Sequence, residues 1–311
     1  MSSLICGSIA YDNIMVFRDY FKNHIDPDQI HILNVSFYVP EMRRDFGGCA
    51  GNIAYNLKLL GDDPLIMATV GDDAGPYLMH LDKMGISRAH ILQVANTFTA
   101  QAFITTDLDD NQITAFHSGA MGFSHLNQIS KTKGVTLGIV APDGKEGMIQ
   151  HAEDFAKARI PFIFDLGQAM PLFSGEDLMR FMKLATYACF NAYEMQITCN
   201  RTEKTLPELA KEVEALIVTH GDKGSHIYAD GHSYEIPCVE ADAVIDPTGC
   251  GDAYRSGLLY GISRGWNWER TGQLASVMGA IKVSHRGCQN HRPSREEIAG
   301  RYYKAFGQSP W

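Results

Sequence analysis

Short apolar runs alternate with amphipathic stretches along most of the chain. Leu4–Ile9, Leu65–Val70, Val135–Ala141, Pro161–Asp165, Tyr187–Asn191 and Ala215–Thr219 have the length and continuous apolar character of buried strands. The stretch before Asp246 is expected to continue that series. Ile53–Leu60 and Tyr77–Met84 carry apolar residues at helical spacing, and Gly61 and Gly85 follow them as C-terminal stops. Further helical stretches fall between most of the strands. Alternation of this kind predicts a mostly parallel sheet with helices on both faces. In such α/β folds, ligands bind at the carboxyl ends of the strands.

Two segments depart from the alternation. In Ile30–Val39, Val35, Phe37 and Val39 alternate with Ser36 and Tyr38, which predicts a strand with one buried face. Gln101–Thr106 and Ile113–His117 flank the turn Asp109-Asp110-Asn111. Together they predict a small inserted sheet with one face free to cover a site; a surface hairpin without a role is the alternative. The expected division is a large α/β domain over residues 1–12, 47–97 and 118–311, and a β-sheet lid over 13–46 and 98–117.

Composition narrows the function classes. The chain has 311 residues, 45% hydrophobic and 20% charged, enough for a sizeable core. Its net charge of −9 argues against the basic surface of a nucleic-acid binder. No apolar run is long enough to span a bilayer. The N-terminal residues lack the basic start and small-residue cleavage site of a signal peptide, so a cytoplasmic protein is expected. Seven cysteines form no C-x-x-C pair, which argues for reduced thiols rather than a zinc or redox site.

The chemistry concentrates in Asp246-Pro247-Thr248-Gly249-Cys250-Gly251-Asp252. This run follows apolar Val244-Ile245 and precedes Ala253–Arg264, where Leu258, Leu259 and Ile262 mark one helix face and Gly265 the end. A glycine-rich turn entering a helix offers unpaired N–H groups and a favourable dipole to an anion. An acid beside such a cradle makes sense as a general base. Asp252 would take the proton of an attacking hydroxyl while the backbone amides hold a transferring phosphoryl group. The simpler alternative for Asp252 is a helix cap. The run is not a Walker A loop, which needs G-x-x-x-x-G-K-[ST].

This run resembles the second signature of the PfkB carbohydrate and nucleoside kinase family, D-T-x-G-x-G-D, in a proline variant. Gly47-Gly48-Cys49-Ala50-Gly51-Asn52 is similar to the first signature, G-G-x-x-x-N, and Gly71-Asp72-Asp73-Ala74-Gly75 to G-x-D-x-x-G. Asn191-Ala192-Tyr193-Glu194 matches N-x-x-E, and Val218–Gly224 the nucleotide-loop pattern T-x-G-x-x-G. The resemblance covers nearly the whole chain. It implies a ribokinase-like three-layer α/β fold with a small β-sheet lid, and a kinase using ATP and Mg2+. Asp252 would be the base, with Gly249, Cys250 and Gly251 forming the anion hole. Asn191 and Glu194 would organise Mg2+ largely through its waters. Asn191, Thr219, Gly221 and Gly224 would line the ATP site. The carbonyls of Asp246 and Thr248, with help from near Gly287, would hold a monovalent cation such as K+. On the acceptor side, Asp12, Asn52 and the backbone of Gly48 would meet the sugar hydroxyls.

Within the family, the N-terminal third is most similar to bacterial-type adenosine kinases, through Gly7–Asp12, Leu33–Phe37, Asp45–Gly48, Thr105–Asp107 and Phe116–Met121. That implies Ser8 and Ser36 around the nucleoside, and Phe103 and Phe116 facing a purine. Stacking a base on an aromatic ring is worth about 1–3 kcal/mol; packing inside the lid is the other reading of each ring. Gln168 is a further base-contacting candidate, although Asp165–Ala169 carries one glutamine where the subgroup has two. The expected reaction is phosphorylation of adenosine. A PfkB-type sugar kinase and a non-catalytic sensor on the same fold are the rivals. A dinucleotide oxidoreductase is disfavoured because Gly7-Ser8-Ile9 does not supply G-x-G-x-x-G. A homodimer through the lid sheet is also expected, since exposed sheet edges often pair.

Overall fold

The computed structural model describes residues 2–311. In chain order the strands are β1 (Ser2–Cys6), β2 (Ala10–Val16), β3 (Glu41–Gly47), β4 (Leu65–Val70), β5 (Ser87–Gln93), β6 (Ala100–Thr106) and β7 (Gln112–His117). They continue as β8 (Val135–Val140), β9 (Phe162–Asp165), β10 (Tyr187–Asn191), β11 (Ala215–Thr219), β12 (Ser225–Ala229) and β13 (His232–Ile236). The helices are α1 (Cys49–Leu59), α2 (Gly75–Met84), α3 (Lys145–Ala158), α4 (Gly175–Leu184) and α5 (Ala192–Thr202). After them come α6 (Leu206–Leu209), α7 (Cys250–Ser263), α8 (Trp268–Val283) and α9 (Arg295–Phe306).

Nine strands form one sheet in the order β13-β12-β11-β10-β9-β8-β1-β4-β5. Pairing is parallel from β5 through β11, and β12 and β13 add an antiparallel edge. Successive side chains of a strand point to opposite faces, and here both faces are apolar. Ile5, Ile66, Ala68, Ile163 and Ile217 enter one core with residues of α1, α2, α7, α8 and α9. Leu4, Cys6, Met67, Phe162, Phe164, Leu216 and Val218 enter a second core with residues of α3, α4 and α5. The central strands β1, β4 and β8–β11 therefore read as apolar runs because they are covered twice, whereas the edge strands β5 and β13 are largely exposed, and the result is the expected ribokinase-like three-layer fold.

A separate four-stranded sheet has the order β3-β2-β6-β7. Its third and fourth strands lie where the alternating segments around Asp109–Asn111 place them. Ile30–Val39, however, is not a strand. Residues Pro27–Ile32 form a 3-10 turn, and the residues after it join neither sheet. Half-burial does alternate there, at Val35, Phe37 and Val39. It arises because the Phe37 ring packs on Phe17 and Phe21, at centroid distances of 4.9 and 5.0 Å. The strand beside β2 is instead the charged, largely exposed Glu41–Gly47.

The stretch before Asp246 is also not a strand. Val244 and Ile245 are exposed, and the backbone N–H groups of Ile245 and Asp246 both donate to Val283 O at the end of α8. The segment is fastened to a helix terminus rather than to a sheet.

Candidate active site

Asp252 is the third residue of α7. The turn before it is built by Asp246, whose Oδ1 accepts from Thr248 N–H at 2.9 Å and whose Oδ2 accepts from Gly287 N–H at 2.9 Å. Gly249 caps the helix in the left-handed region, φ +77°, and a Cβ there would stand 2.9 Å from Cys288 Sγ. Glycine meets both constraints at once. Ala253 N–H opens the α7 ladder on Gly249 O at 3.0 Å, so the amides of Gly251 and Asp252 precede that ladder. The amide of Cys250 is different. It already donates to Pro247 O at 3.1 Å, which corrects its expected place in the anion hole.

The Asp252 carboxylate is half-buried and held by Asn52, whose Nδ2 donates to Oδ2 at 2.8 Å. Burial pushes its pKa up to about 7, assisted by Asp165 and opposed by the Asn52 hydrogen bond and by Arg255. Gln289 Nε2 donates to Asn52 Oδ1 at 2.9 Å and to Tyr77 Oη at 2.7 Å, and Tyr77 donates onward to Gly47 O at 2.7 Å. Asn52 therefore orients the acid, and Gln289 fixes which end of the Asn52 amide points at it.

Asp12 lies on β2, and its Oδ2 would be 2.3 Å from a Cβ on Gly47. Glycine lets this carboxylate rest on the first signature loop. Its pKa is raised to about 6, by burial first, then by Asp45 and Asp246. Burial pushes the Cys288 thiol pKa up, and the charges of Asp12, Asp252 and Asp246 add to the shift. Gly48, φ +84°, has no room for a side chain, since a Cβ would meet Ser8 O and Ala10 N at 2.6 Å. Ser8 Oγ accepts from Cys49 N–H at 3.1 Å, which ties it to the start of α1.

On the parallel strands β10 and β11, Asn191 and Thr219 stand in register. Asn191 and Glu194 form a reciprocal cap of α5. Asn191 N–H and Nδ2 donate to the two Glu194 oxygens at 2.8 and 2.9 Å, and Glu194 N–H donates to Asn191 Oδ1 at 2.8 Å. Burial, then Asp165, raises the Glu194 pKa. Gly221 and Gly224 both have positive φ, and a Cβ on Gly224 would meet Ile236 O at 2.2 Å. Among the described residues no group of three His, Cys, Asp or Glu side chains converges on a metal position.

The lid corrects one expectation. Asp12 pairs with Ala102 and Ala102 with Phe116, whereas Phe103 pairs with Asn13 and Ala115. Paired residues share a face and neighbours alternate, so Phe116 lies on the Asp12 face and Phe103 on the opposite one. The two rings cannot both face one purine. Ser36 and Gln168 are exposed, on the segment before β3 and on the 3-10 turn after β9. The hydrogen-bond network of Asp252 does not extend to either.

Sequence reasoning missed the groups behind the site. Arg255 reaches Asp165 with Nε at 3.1 Å and Nη2 at 2.9 Å, a forked buried pair whose charges act on both Asp252 and Glu194. A charged residue on the otherwise apolar inner face of Ala253–Arg264 was the available signal. Gln289 and Lys282 carried none, because no motif encloses them.

A parallel three-layer sheet, an acid at a glycine-capped helix start and a covering sheet together define a phosphotransferase acting on a hydroxyl group. The pfkB family carbohydrate kinase model matches residues 12–295. A nucleoside kinase of Methanocaldococcus jannaschii is 31% identical over 87% of this chain and 90% of its own. The structure of Burkholderia thailandensis nucleoside kinase in complex with inosine superposes with a TM-score of 0.91 at 52% identity, covering 99% of both chains. The same kinase in complex with ADP-inosine gives a TM-score of 0.88 at 54% identity, covering 99% of this chain and 97% of the other. The chain belongs to the PfkB family of carbohydrate kinases.

Proposed function

We propose that this kinase transfers the γ-phosphoryl group of ATP to the 5′-hydroxyl of a purine nucleoside, adenosine included. The observation that carries the reading is the Asp252 carboxylate, poised at about 7 where α7 begins. A base works best with a pKa near the working pH, and such bases contribute roughly 10²- to 10⁴-fold. Asp252 takes the hydroxyl proton. The hydroxyl oxygen forms a bond to the γ-phosphorus as the bond to the ADP oxygen breaks. The Gly251 and Asp252 amides face the charge on the transferring group. Glu194 and Asn191 would help hold Mg2+, which would offset negative charge on the phosphates of ATP.

Three features support a nucleoside rather than a bare sugar. Two relatives bearing the name nucleoside kinase align over nearly the whole chain. Asp12, Gly48 and Ser8 put polar groups beside the first signature loop that carries Asn52. Phe116 offers an exposed aromatic ring on the sheet face that carries Asp12. The Burkholderia enzyme's inosine complex makes 6-oxo purines natural candidates beside adenosine. A single amide such as Gln168, both donor and acceptor, suits either purine edge.

The test is ADP formation with MgATP and parallel acceptors: adenosine, inosine, guanosine, ribose and fructose. A stacked base worth 1–3 kcal/mol predicts that a nucleoside exceeds both sugars by roughly ten- to hundredfold in kcat/KM. A sugar turning over faster than every nucleoside would remove the nucleoside reading and leave the phosphotransferase intact.

A further inference from the structure

Lys282 is fully buried in the last turn of α8. A buried ammonium is costly unless its donors are satisfied. Its Nζ donates to Asp246 O at 2.8 Å and to His285 O at 3.1 Å. Both partners are backbone carbonyls. One belongs to the loop that leads to Asp252, the other to the turn that follows α8. The negative end of the α8 dipole adds to the pull on the cation.

The surroundings make this ammonium part of the site's framework. The Asp246 carboxylate accepts from Gly287 N–H, and the Asp246 and Ile245 amides donate to Val283 O. Lys282 thus completes a seam between residues 245–248 and 282–287, immediately before the amides that face the phosphoryl group. The titratable groups around it are Asp246, Cys250, Cys288 and His291, with His285 at the mouth. Asp246 alone among them supplies a negative charge at neutral pH, and Lys282 helps hold its carboxyl below the usual range.

A monovalent metal ion at the Asp246 carbonyl does not fit this arrangement. The oxygen it would use already accepts from a full positive charge at hydrogen-bond distance. We propose that the ε-ammonium of Lys282 is a built-in monovalent cation that positions the anion loop, so that phosphoryl transfer by this chain needs no potassium. Lys282 touches no substrate; it is a positioning residue acting through Asp246. The inference rests on the phosphotransfer reading for its rate readout, and a second readout is independent of it.

The experiment compares wild type, Lys282→Ala and Lys282→Met in chloride salts of potassium, ammonium, methylammonium and tetramethylammonium. Wild-type kcat is expected to be the same in all four. Both variants should lose about 10- to 100-fold in tetramethylammonium, the range of supporting groups one step behind a reacting centre. Lys282→Ala leaves a space, and its rate should recover in potassium, ammonium or methylammonium. Lys282→Met fills the space without charge and should not recover. A wild-type rate that collapses without potassium overturns the proposal, as does either variant keeping full kcat in tetramethylammonium. Thermal unfolding in the same salts reads the site without turnover. Selective stabilisation of Lys282→Ala by the small cations, absent in wild type, supports the proposal, and equal shifts in both proteins overturn it. If the wild type phosphorylates no acceptor in any salt, the proposed function fails on its own and the unfolding comparison still decides this one.

Discussion

The amide of Asn52 donates to the carboxylate of Asp252 at 2.8 Å, joining the first signature loop to the second across 200 positions of sequence. This bond favours the ionised acid, while burial favours the protonated one and wins, leaving the carboxyl at about 7. The consequence has a definite sign. A base acts only when deprotonated, so kcat/KM should rise with pH and level off above a midpoint near 7. Asn52→Leu removes a hydrogen bond to the charged form and raises the pKa further. The acidic limb of the pH profile should therefore move to higher pH, with a residual plateau in the alkaline range. A variant whose limb stays at the wild-type midpoint, or moves to lower pH, would show that Asn52 does not act on Asp252.

Asp252→Asn keeps the size of the side chain and removes its capacity to accept a proton. kcat should fall by about 10²-fold or more, the loss expected of a general base. Nucleoside binding, measured by calorimetry without ATP, should change little because the polar groups of Asp12, Gly48 and Ser8 are untouched. Turnover above about a tenth of wild type would remove Asp252 from the role of base.

Much of this site was readable from the chain because its parts are local. The glycine-rich turn into α7 and the N-x-x-E run of Asn191 and Glu194 each occupy a few consecutive residues, although the helix begins at Cys250 rather than Ala253 and the Asn191–Glu194 cap emerged only in the structure. Their chemistry follows from residue type and spacing. The parallel sheet was legible because its central strands are buried twice and read as apolar runs. Of the lid, the β6–β7 hairpin was legible, but its other half was not, for two reasons. Strand β3 is Glu-Met-Arg-Arg-Asp-Phe-Gly, too charged and exposed to signal a strand. The neighbouring alternation at Val35–Val39 comes from aromatic packing of Phe37 rather than from strand pairing. The faces of Phe103 and Phe116 depend on register across a turn, which neither strand encodes alone. Long-range partners such as Gln289 to Asn52, 237 positions apart, leave no local trace.

Register makes the two lid phenylalanines separable. Phe116 shares a face with Asp12 and stands 56% exposed, available to an acceptor base. Phe103 lies on the other face. Phe116→Ala should raise the KM for a purine nucleoside by roughly ten- to hundredfold, as loss of one stacking ring predicts, and leave kcat with ribose nearly unchanged. Phe103→Ala should leave the nucleoside KM within about threefold of wild type, well short of a lost stack. Equal effects of the two substitutions would contradict the assignment of faces.

The Arg255–Asp165 pair supports the site at a distance from the reacting atoms, and its energetics can be tested apart from catalysis. Both side chains are nearly fully buried, with 7% and 4% exposure, and the guanidinium meets the carboxylate through two parallel hydrogen bonds. Arg255 Nη1 also donates to Gly251 O at 3.3 Å, so the pair fixes the first turn of α7. Arg255→Leu leaves Asp165 buried without its partner and should cost about 3–5 kcal/mol in urea unfolding. The double variant Arg255→Leu/Asp165→Leu removes both charges, and it should recover much of that loss because paired buried charges contribute little net stability. Activity should behave differently. In the double variant Gly251 and Asp252 lose the anchor on their turn, so kcat should stay reduced after stability returns. Recovery of both together would make the ion pair a packing element only, whereas recovery of stability alone identifies Arg255 as the residue that holds the anion-facing amides in place.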